Sequence, residues 1–460
     1  MPRCLRPFLI ALAVVLGLVA AAVLAFNIHL QSASMQEQMR RAAIDTIGLP
    51  LNIRSAYYTP WSGIILRGLV MPDMENAGVN FLEASEFQIV FRLFPLLQKK
   101  FVVSRLCLSE AVLTWRQNAG GQWRVPRDPA LAMPATSITP AVTPPPAPSA
   151  ATPSGTESAP VFALRVETFA VRRSRVLFEN RDGWPLLDAA GINASAQVKP
   201  DGNAEGTATI PEAVVAGLLL AHDLGADFQL TDGLLSLSAI RGLLADGQIS
   251  GHGTVASSTP GSPYAWDLRL DGLNMARVTL PASFAGTRLE GILTANLVLQ
   301  GQNAPQREVR GNSRIEITGG RLIPSSYWQG IGQALGINEL QSMQLSEAFA
   351  ELHLVDDLIN VEPLWLRGPE FAVELRGPVT RSGGLNLDGR LLLSPPAAAR
   401  VSALTGRSLA PSSRLEGFRE VSFRITGTME NPRSDLASQL LGGGTAGRLG
   451  EFFLNLLGNP

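Results

Sequence analysis

Phe87, Ile89, Phe91 and Leu93 alternate with Gln88, Val90 and Arg92, a period-2 pattern that predicts a strand. Phe94-Pro95-Leu96-Leu97 interrupts it, because proline lacks the ladder donor and fixes φ. Two more apolar runs follow, Phe101 to Leu108 and Ala111 to Gln117, before the turn residues Asn118-Ala119-Gly120-Gly121. The segment predicts three antiparallel strands with one apolar face. A face of that kind needs a cover, since bare apolar sheet aggregates.

From Val161 to Met429 the same patterning recurs in short runs separated by glycine turns: Phe162–Val171, Leu234–Leu237, Tyr264–Leu270, Leu293–Leu299, Arg314–Ile317, Phe371–Leu375, Leu385–Leu393 and Val421–Ile425. In Leu385–Leu393 the positions Leu385, Leu387, Leu391 and Leu393 are apolar, whereas Asn386, Asp388 and Arg390 are polar. Strict alternation gives one dry and one wet face, as in an antiparallel sheet. A loose repeat, apolar-x-apolar-x-Gly followed by proline, appears at Leu297–Gly301, Leu364–Gly368, Val373–Gly377 and Phe423–Gly427. It predicts strands closed by glycine and barred from continuing by proline.

The helical period is rarer. Met35 to Ile47 predicts a short amphipathic helix stopped by Gly48. Pro211 to Leu224 has proline at a suitable first turn and an apolar middle. Ser325 to Ile337, Pro395 to Leu404 and Ser434 to Leu457 are further helix candidates, the last broken by Gly442-Gly443-Gly444. Pro126 to Pro160 carries ten prolines among Ala, Ser and Thr, a composition that buries no core and predicts a disordered linker.

Phe8 to Phe26 is a charge-free run of 19 apolar or small residues behind Arg3 and Arg6. About 20 such residues span a hydrocarbon layer ~30 Å thick, and cleavable signal cores are shorter. The run predicts one transmembrane helix with a cytoplasmic amino terminus and everything beyond it translocated. Cleavage near Ser32-Ala33-Ser34 is the alternative. Net charge is −1, and the only three lysines are Lys99, Lys100 and Lys199. No basic stripe exists to neutralise a phosphate backbone, which argues against nucleic acid as a partner. Cys4 and Cys107 are expected on opposite sides of the membrane, so no disulfide framework is expected; Cys107 reads as a small buried hydrophobe.

The residues offer little catalytic chemistry. None of His29, His222, His252 and His353 is four residues from another histidine, so the helical zinc pair is missing. Gly442 to Gly447 matches G-x-G-x-x-G only formally, with no strand before it. Asp356-Asp357 beside His353 reads as a hairpin turn rather than a metal site. The expectation is a non-enzyme with no cofactor and no metal.

Phe81, Leu82, Ala84, Pro95-Leu96-Leu97, Leu106, Leu108, Gly121 and Trp123 resemble the amino-terminal motif of the AsmA family of bacterial envelope proteins. Phe423 to Pro432 resembles the family's carboxy-terminal repeats. The resemblance covers roughly residues 1–125 and part of the last third. It implies a mainly β fold: a transmembrane helix, then a long curled antiparallel sheet forming a groove, with a few short amphipathic helices. The expected division is 1–30 cytoplasmic tail and anchor, 31–125 amino-terminal helix and strands, 126–160 linker, 161–432 β-groove and 433–460 apolar helical tail.

The implied function is phospholipid holding or conduction by an inner-membrane-anchored periplasmic protein serving the outer membrane. Its partners would be membrane lipids and, as a further class, other envelope proteins. Phe87, Ile89, Phe91, Leu93, Leu297, Leu299, Phe371, Val373, Leu375, Leu385, Leu387, Leu391, Phe423 and Ile425 are the expected groove lining. The segments Phe87–Leu93 and Leu385–Leu393 are expected to line one channel. The alternative is an assembly factor that pairs strands with an outer-membrane client.

Overall fold

A computed structural model describes residues 23–76, 78–92, 101–118, 123, 164–256, 259, 261–278, 288–302, 308–323, 329, 342–406, 408–429 and 431–441. The fold is mainly β, as the alternation predicts. It divides into two compact units, Met1–Ala208 and Thr209–Pro460.

The first unit opens with a helical segment, residues 23–30, followed by helix α1 (Ala33–Ile47), where the pattern places a helix. Ser32 caps α1 by accepting from Met35 N, and Gly48 ends it at φ 84°, a left-handed conformation that costs glycine little. Met35 and Met39 pack on a buried cluster of Leu30, Ala56, Leu66, Leu69, Ala84 and Ala111. Leu30 belongs to the helical segment, and the others come from strands β1 (Asn52–Thr59), β2 (Gly63–Pro72), β3 (Asn80–Phe91) and β4 (Phe101–Arg116), which pair in order and antiparallel.

The sheet then departs from the expected antiparallel pattern. Strands β5 (Leu164–Val166) and β6 (Thr168–Glu179) both pair parallel to β4, and β7 (Pro185–Val198) is antiparallel to β6. A parallel pair needs a connection of a dozen residues or more. The stretch from 117 to 163, which includes the proline-rich segment, is long enough to return the chain to the same end.

The two strands expected at Phe101–Leu108 and Ala111–Gln117 are one strand. Leu106 and Leu108 stand on even positions and Ala111 and Leu113 on odd ones, with Ser109-Glu110 between them, so the sequence reads as a break. The backbone absorbs the slip at Glu110, whose φ is 51°. Gly68 in β2 (φ 63°) and Arg173 in β6 (φ 46°) do the same. They sit at one level of the sheet, where Arg67 opposes Glu86, Glu86 opposes Ser109 and Ser109 opposes Arg172. Leu66 and Leu69 thereby share one core despite opposite parity. Cys107 is buried and free, as expected.

Strand β8 (Ala204–Val215) crosses the division between the units. In the second unit a run of antiparallel pairs links β9 (Leu219–Thr231), β10 (Leu234–Leu244), β11 (Gly247–Ala256), β12 (Tyr264–Asn274), β13 (Arg288–Gly301) and β14 (Val309–Ile323). Short β15 (Met343–Leu345) lies beside the end of β14, which also pairs with β16 (Glu347–Val355). The run continues through β17 (Leu358–Arg367), β18 (Phe371–Thr380), β19 (Gly384–Leu393) and β21 (Arg419–Thr428). Two short pieces, β20 (Ala410–Pro411) and β22 (Pro432–Ser434), flank β21.

Two expectations fail here. Pro211 to Leu224 is not a helix but the end of β8, a tight turn and the start of β9. Leu218 N donates to Val215 O at 3.0 Å, and Ala216 and Gly217 both have positive φ, 53° and 66°. That is the turn whose twist matches a hairpin, and the β-branched Val214-Val215 favours the strand. Gly377-Pro378 does not end its strand; β18 runs on to Thr380. The β18–β19 ladder lapses between Arg376 and Val379, where proline has no donor to give, while Pro378 still stands opposite Asn360 on β17.

Helix α2 (Pro395–Thr405) forms where expected, capped by Ser394 and closed by Gly406 at φ 67°. Helix α3 (Leu436–Leu441) is the described part of the carboxy-terminal candidate. The 126–160 linker, the helix candidate 325–337 (except residue 329), the glycine stretch 442–447, the rest of the tail, and residues 8–22 of the apolar run lie outside the described residues. Among the described residues no helix is long and apolar enough to cross a membrane.

Candidate functional site

The long strands from β10 to β21 in the second unit send alternate, mostly apolar side chains to one face, and the register aligns them in rows across the sheet. One row runs from Leu237 through Gly253, Trp266, Leu299, Gly311, Leu354, Ile359 and Val379 to Leu385. The next runs from Gly251 through Leu268, Leu297, Ser313, Leu352 and Val361 to Gly377. A third joins Leu270, Ala295, Ile315, Ala350, Leu364, Leu375, Gly389 and Phe423. Glycine, alanine or serine interrupts the large residues in each row. A Cβ on Gly253 would strike the Trp266 ring at 2.2 Å, and one on Gly389 the Phe423 ring at 2.4 Å. Glycine therefore lets these rings lie flat on the neighbouring strand.

All ten expected lining residues of this unit lie on this face, yet their cover differs. Phe371, Val373, Leu391 and Phe423 are sealed in a core beneath α2 and α3, with Val401, Leu436 and Leu440 packed onto them; Leu375 and Ile425 border it. Leu391 is only 1% exposed. These residues are core side chains. Leu297 and Leu299, by contrast, are half-buried and belong to neither buried cluster, and so are Trp266, Leu268 and Leu270 beside them. Leu385 is half-buried and Leu387 buried; Leu387 stands opposite Ile425.

Trp266, Leu268, Leu270, Leu352, Leu354 and Ile359 were not among the expected lining residues. The strict alternation of Tyr264–Leu270, already visible in sequence, carries the signal for the first three. The other three sit next to the Asp356-Asp357 turn, which does form: Asp356 has φ 56° and Val355 pairs with Leu358.

The opposite face is charged and wet. Asp267, Arg269 and Asp271 of β12 point there, exposed. Arg314 reaches Glu316 at 2.8 Å and Glu351 at 3.4 Å. His353 Nδ1 lies 2.8 Å from Asn312 Oδ1 rather than on a carboxylate. The buried carboxylate of Glu374 holds Arg376 at 2.8 Å and Arg414 at 3.1 Å, which ties the segment after β20 to the sheet. Among the described residues no three His, Cys, Asp or Glu side chains are grouped to hold a metal ion.

In the first unit, Phe87, Ile89 and Phe91 lie half-buried on β3, and Leu93 is outside the described residues. Phe87 packs against the cluster beneath α1. Phe91 stacks on Tyr58, centroids 5.7 Å apart, and Tyr58 meets Phe26 edge-on at 5.2 Å. Compared with protein-family models, curated proteins and solved structures, the chain matches none.

Proposed function

We propose that the chain is an inner-membrane-anchored periplasmic protein that holds or conducts phospholipid on an apolar sheet face, serving the lipid supply of the outer membrane. The sequence resemblance to the AsmA family and the curled-groove form it implies belong to this proposal. The observation that carries it is the pair of rows through Trp266–Leu299 and Leu268–Leu297, free of charged residues, polar only at Ser313 of β14, and outside both buried clusters.

Six adjacent strands at about 4.8 Å spacing make a row of about 24 Å. One leaflet's share of a ~30 Å hydrocarbon layer is about 15 Å, so an acyl chain fits along a row. Each buried methylene contributes about 0.8 kcal/mol, enough to retain lipid without a polar recognition site. No catalytic role is assigned to any residue. Strand addition by a client at β1 is opposed by Asn27, whose side chain already occupies that edge: Nδ2 donates to Tyr58 O at 2.9 Å, and Tyr58 N donates to Oδ1 at 2.6 Å.

Native mass spectrometry of the full chain gently extracted from membranes tests the reading. Phospholipid-sized additions are expected, and the double variant Leu268→Asp, Leu297→Asp should lose them while circular dichroism stays unchanged. A wild-type protein free of lipid, or a folded variant that keeps its lipid, overturns it.

A further inference from the structure

The strands of the first unit have two ends of different character. At one end β1 turns into β2 through Pro60-Trp61-Ser62, with Thr59 opposite Gly63, and β3 finishes at Phe91 opposite Val103 near the start of β4. At the other end Arg116 of β4 lies beside Glu179 of β6, and the turn from Asn180 to Trp184 links β6 to β7. The helical segment 23–30 is bound to the first end. Besides the two hydrogen bonds to Tyr58, Asn27 Nδ2 donates to Val23 O at 2.9 Å, so the Asn27 amide is fully engaged and the helix is held at a set position on the strand edge.

This end concentrates exposed apolar side chains. Trp61 is 82% exposed, Ile28 65% and Leu24 63%. Phe26, Tyr58 and Phe91 form a continuous aromatic seam from the helix to the sheet. An exposed tryptophan at the same end as exposed aliphatic side chains suits the boundary between headgroups and acyl chains, where an amphipathic ring keeps one edge wet. Phe26 is also the last residue of the 19-residue apolar run, which points to bilayer rather than protein as the cover.

We propose that this end of the first unit docks on the surface of the membrane that anchors it, with Trp61, Leu24 and Ile28 in the interface and the Tyr58–Phe91 stack just above it. Asn27 is the positioning residue: its clamp on Tyr58 sets the sheet edge against the bilayer. The inference rests on the membrane-anchor reading and adds the contact surface and its orientation.

The test uses the full chain with Cys4→Ser, carrying either Trp61→Cys or Trp184→Cys, labelled with an environment-sensitive fluorophore. The protein is reconstituted into vesicles of phosphatidylethanolamine and phosphatidylglycerol containing nitroxide-labelled lipid. Trp184 is 59% exposed at the opposite end and serves as the internal control. A blue-shifted, nitroxide-quenched probe at 61 with a water-like, unquenched probe at 184 is the expected result. Asn27→Ala should weaken quenching at 61 without releasing the protein from vesicles. Equal, unquenched probes in a vesicle-bound protein overturn the docking and leave the anchor standing. A shielded but unquenched probe at 61 assigns the surface to a protein partner and overturns it too. A chain that does not float with vesicles at all removes the anchor reading and this inference with it.

Discussion

At the residue scale the strand packing leaves no room for a side chain at some positions. Gly377 has φ 134°, and a Cβ there would stand 2.4 Å from Asn386 O of the paired strand. Gly377→Ala is expected to lower stability by about 2 kcal/mol, seen as an earlier denaturation midpoint with unchanged slope. Depth of cover predicts a second contrast. Leu391→Asp buries an unpaired carboxylate beneath α2 and α3 and should cost several kcal/mol, about 3 or more. Leu297→Asp leaves its carboxylate within reach of water and should fold; circular dichroism on the two variants separates them. Electrostatics contributes less. Arg175 grips Asp188 through two hydrogen bonds, 2.6 and 2.7 Å. That hydrogen bonding, aided by the guanidinium charge and opposed by burial, holds the Asp188 carboxyl below its ordinary value. A carboxyl depressed in the folded state stabilises at neutral pH and loses that contribution as pH falls through the depressed value. Asp188→Asn should therefore be less stable than wild type at pH 7 by no more than about 1 kcal/mol, the arginine being open to water. The gap should close in acid, as paired pH-dependent melts would register.

At the scale of elements, the sequence announced strands but shortened them. Leu106 and Leu108 against Ala111 and Leu113 change parity, and a parity change reads as two strands. The structure keeps one strand by placing Glu110 in the left-handed region, a conformation that costs a residue with a Cβ about 1–2 kcal/mol and is rarely inferred for glutamate. Ala239 at φ 51° repeats this within β10, where the pairing shifts between Leu237 and Ile240. Ala239→Gly is thus expected to stabilise by up to about 1 kcal/mol, against the usual penalty for glycine in a strand, and Ala239→Val to destabilise; chemical denaturation of both checks the slip directly. The helices show the reverse lesson. The stop of α1 at Gly48 was legible because capping is local chemistry, whereas the caps Ser32, Ser394 and Gly406, which act by the same chemistry, were not singled out from sequence. Pro211–Leu224 misled because a proline and an apolar middle suit either element, and only the hairpin partner decides. Ser394→Ala, which removes the hydroxyl that accepts from Ala397 N, should cost about 1 kcal/mol and loosen the α2 cover before the sheet, as hydrogen exchange would resolve.

At the scale of the whole molecule the chain is two compact β units, each with a helix-covered core on its apolar face. The lining residues named from sequence were selected by alternation, which finds a face but not its cover. Cover depends on α2 and α3, more than ten residues further along the chain for Phe371 and Val373, and on pairings no local pattern contains. Hence Phe371, Val373, Leu391 and Phe423 are core, while Leu297 and Leu299 remain on the half-buried rows. The proposed function requires those rows to meet lipid. A photo-crosslinking amino acid placed singly at Leu268, at Leu297 and, on the wet face of the same strand, at Asn296, then irradiated in intact cells, tests it most directly. Phospholipid adducts are expected at Leu268 and Leu297 and none at Asn296. No adduct at the two leucines, or equal labelling at all three positions, would contradict it.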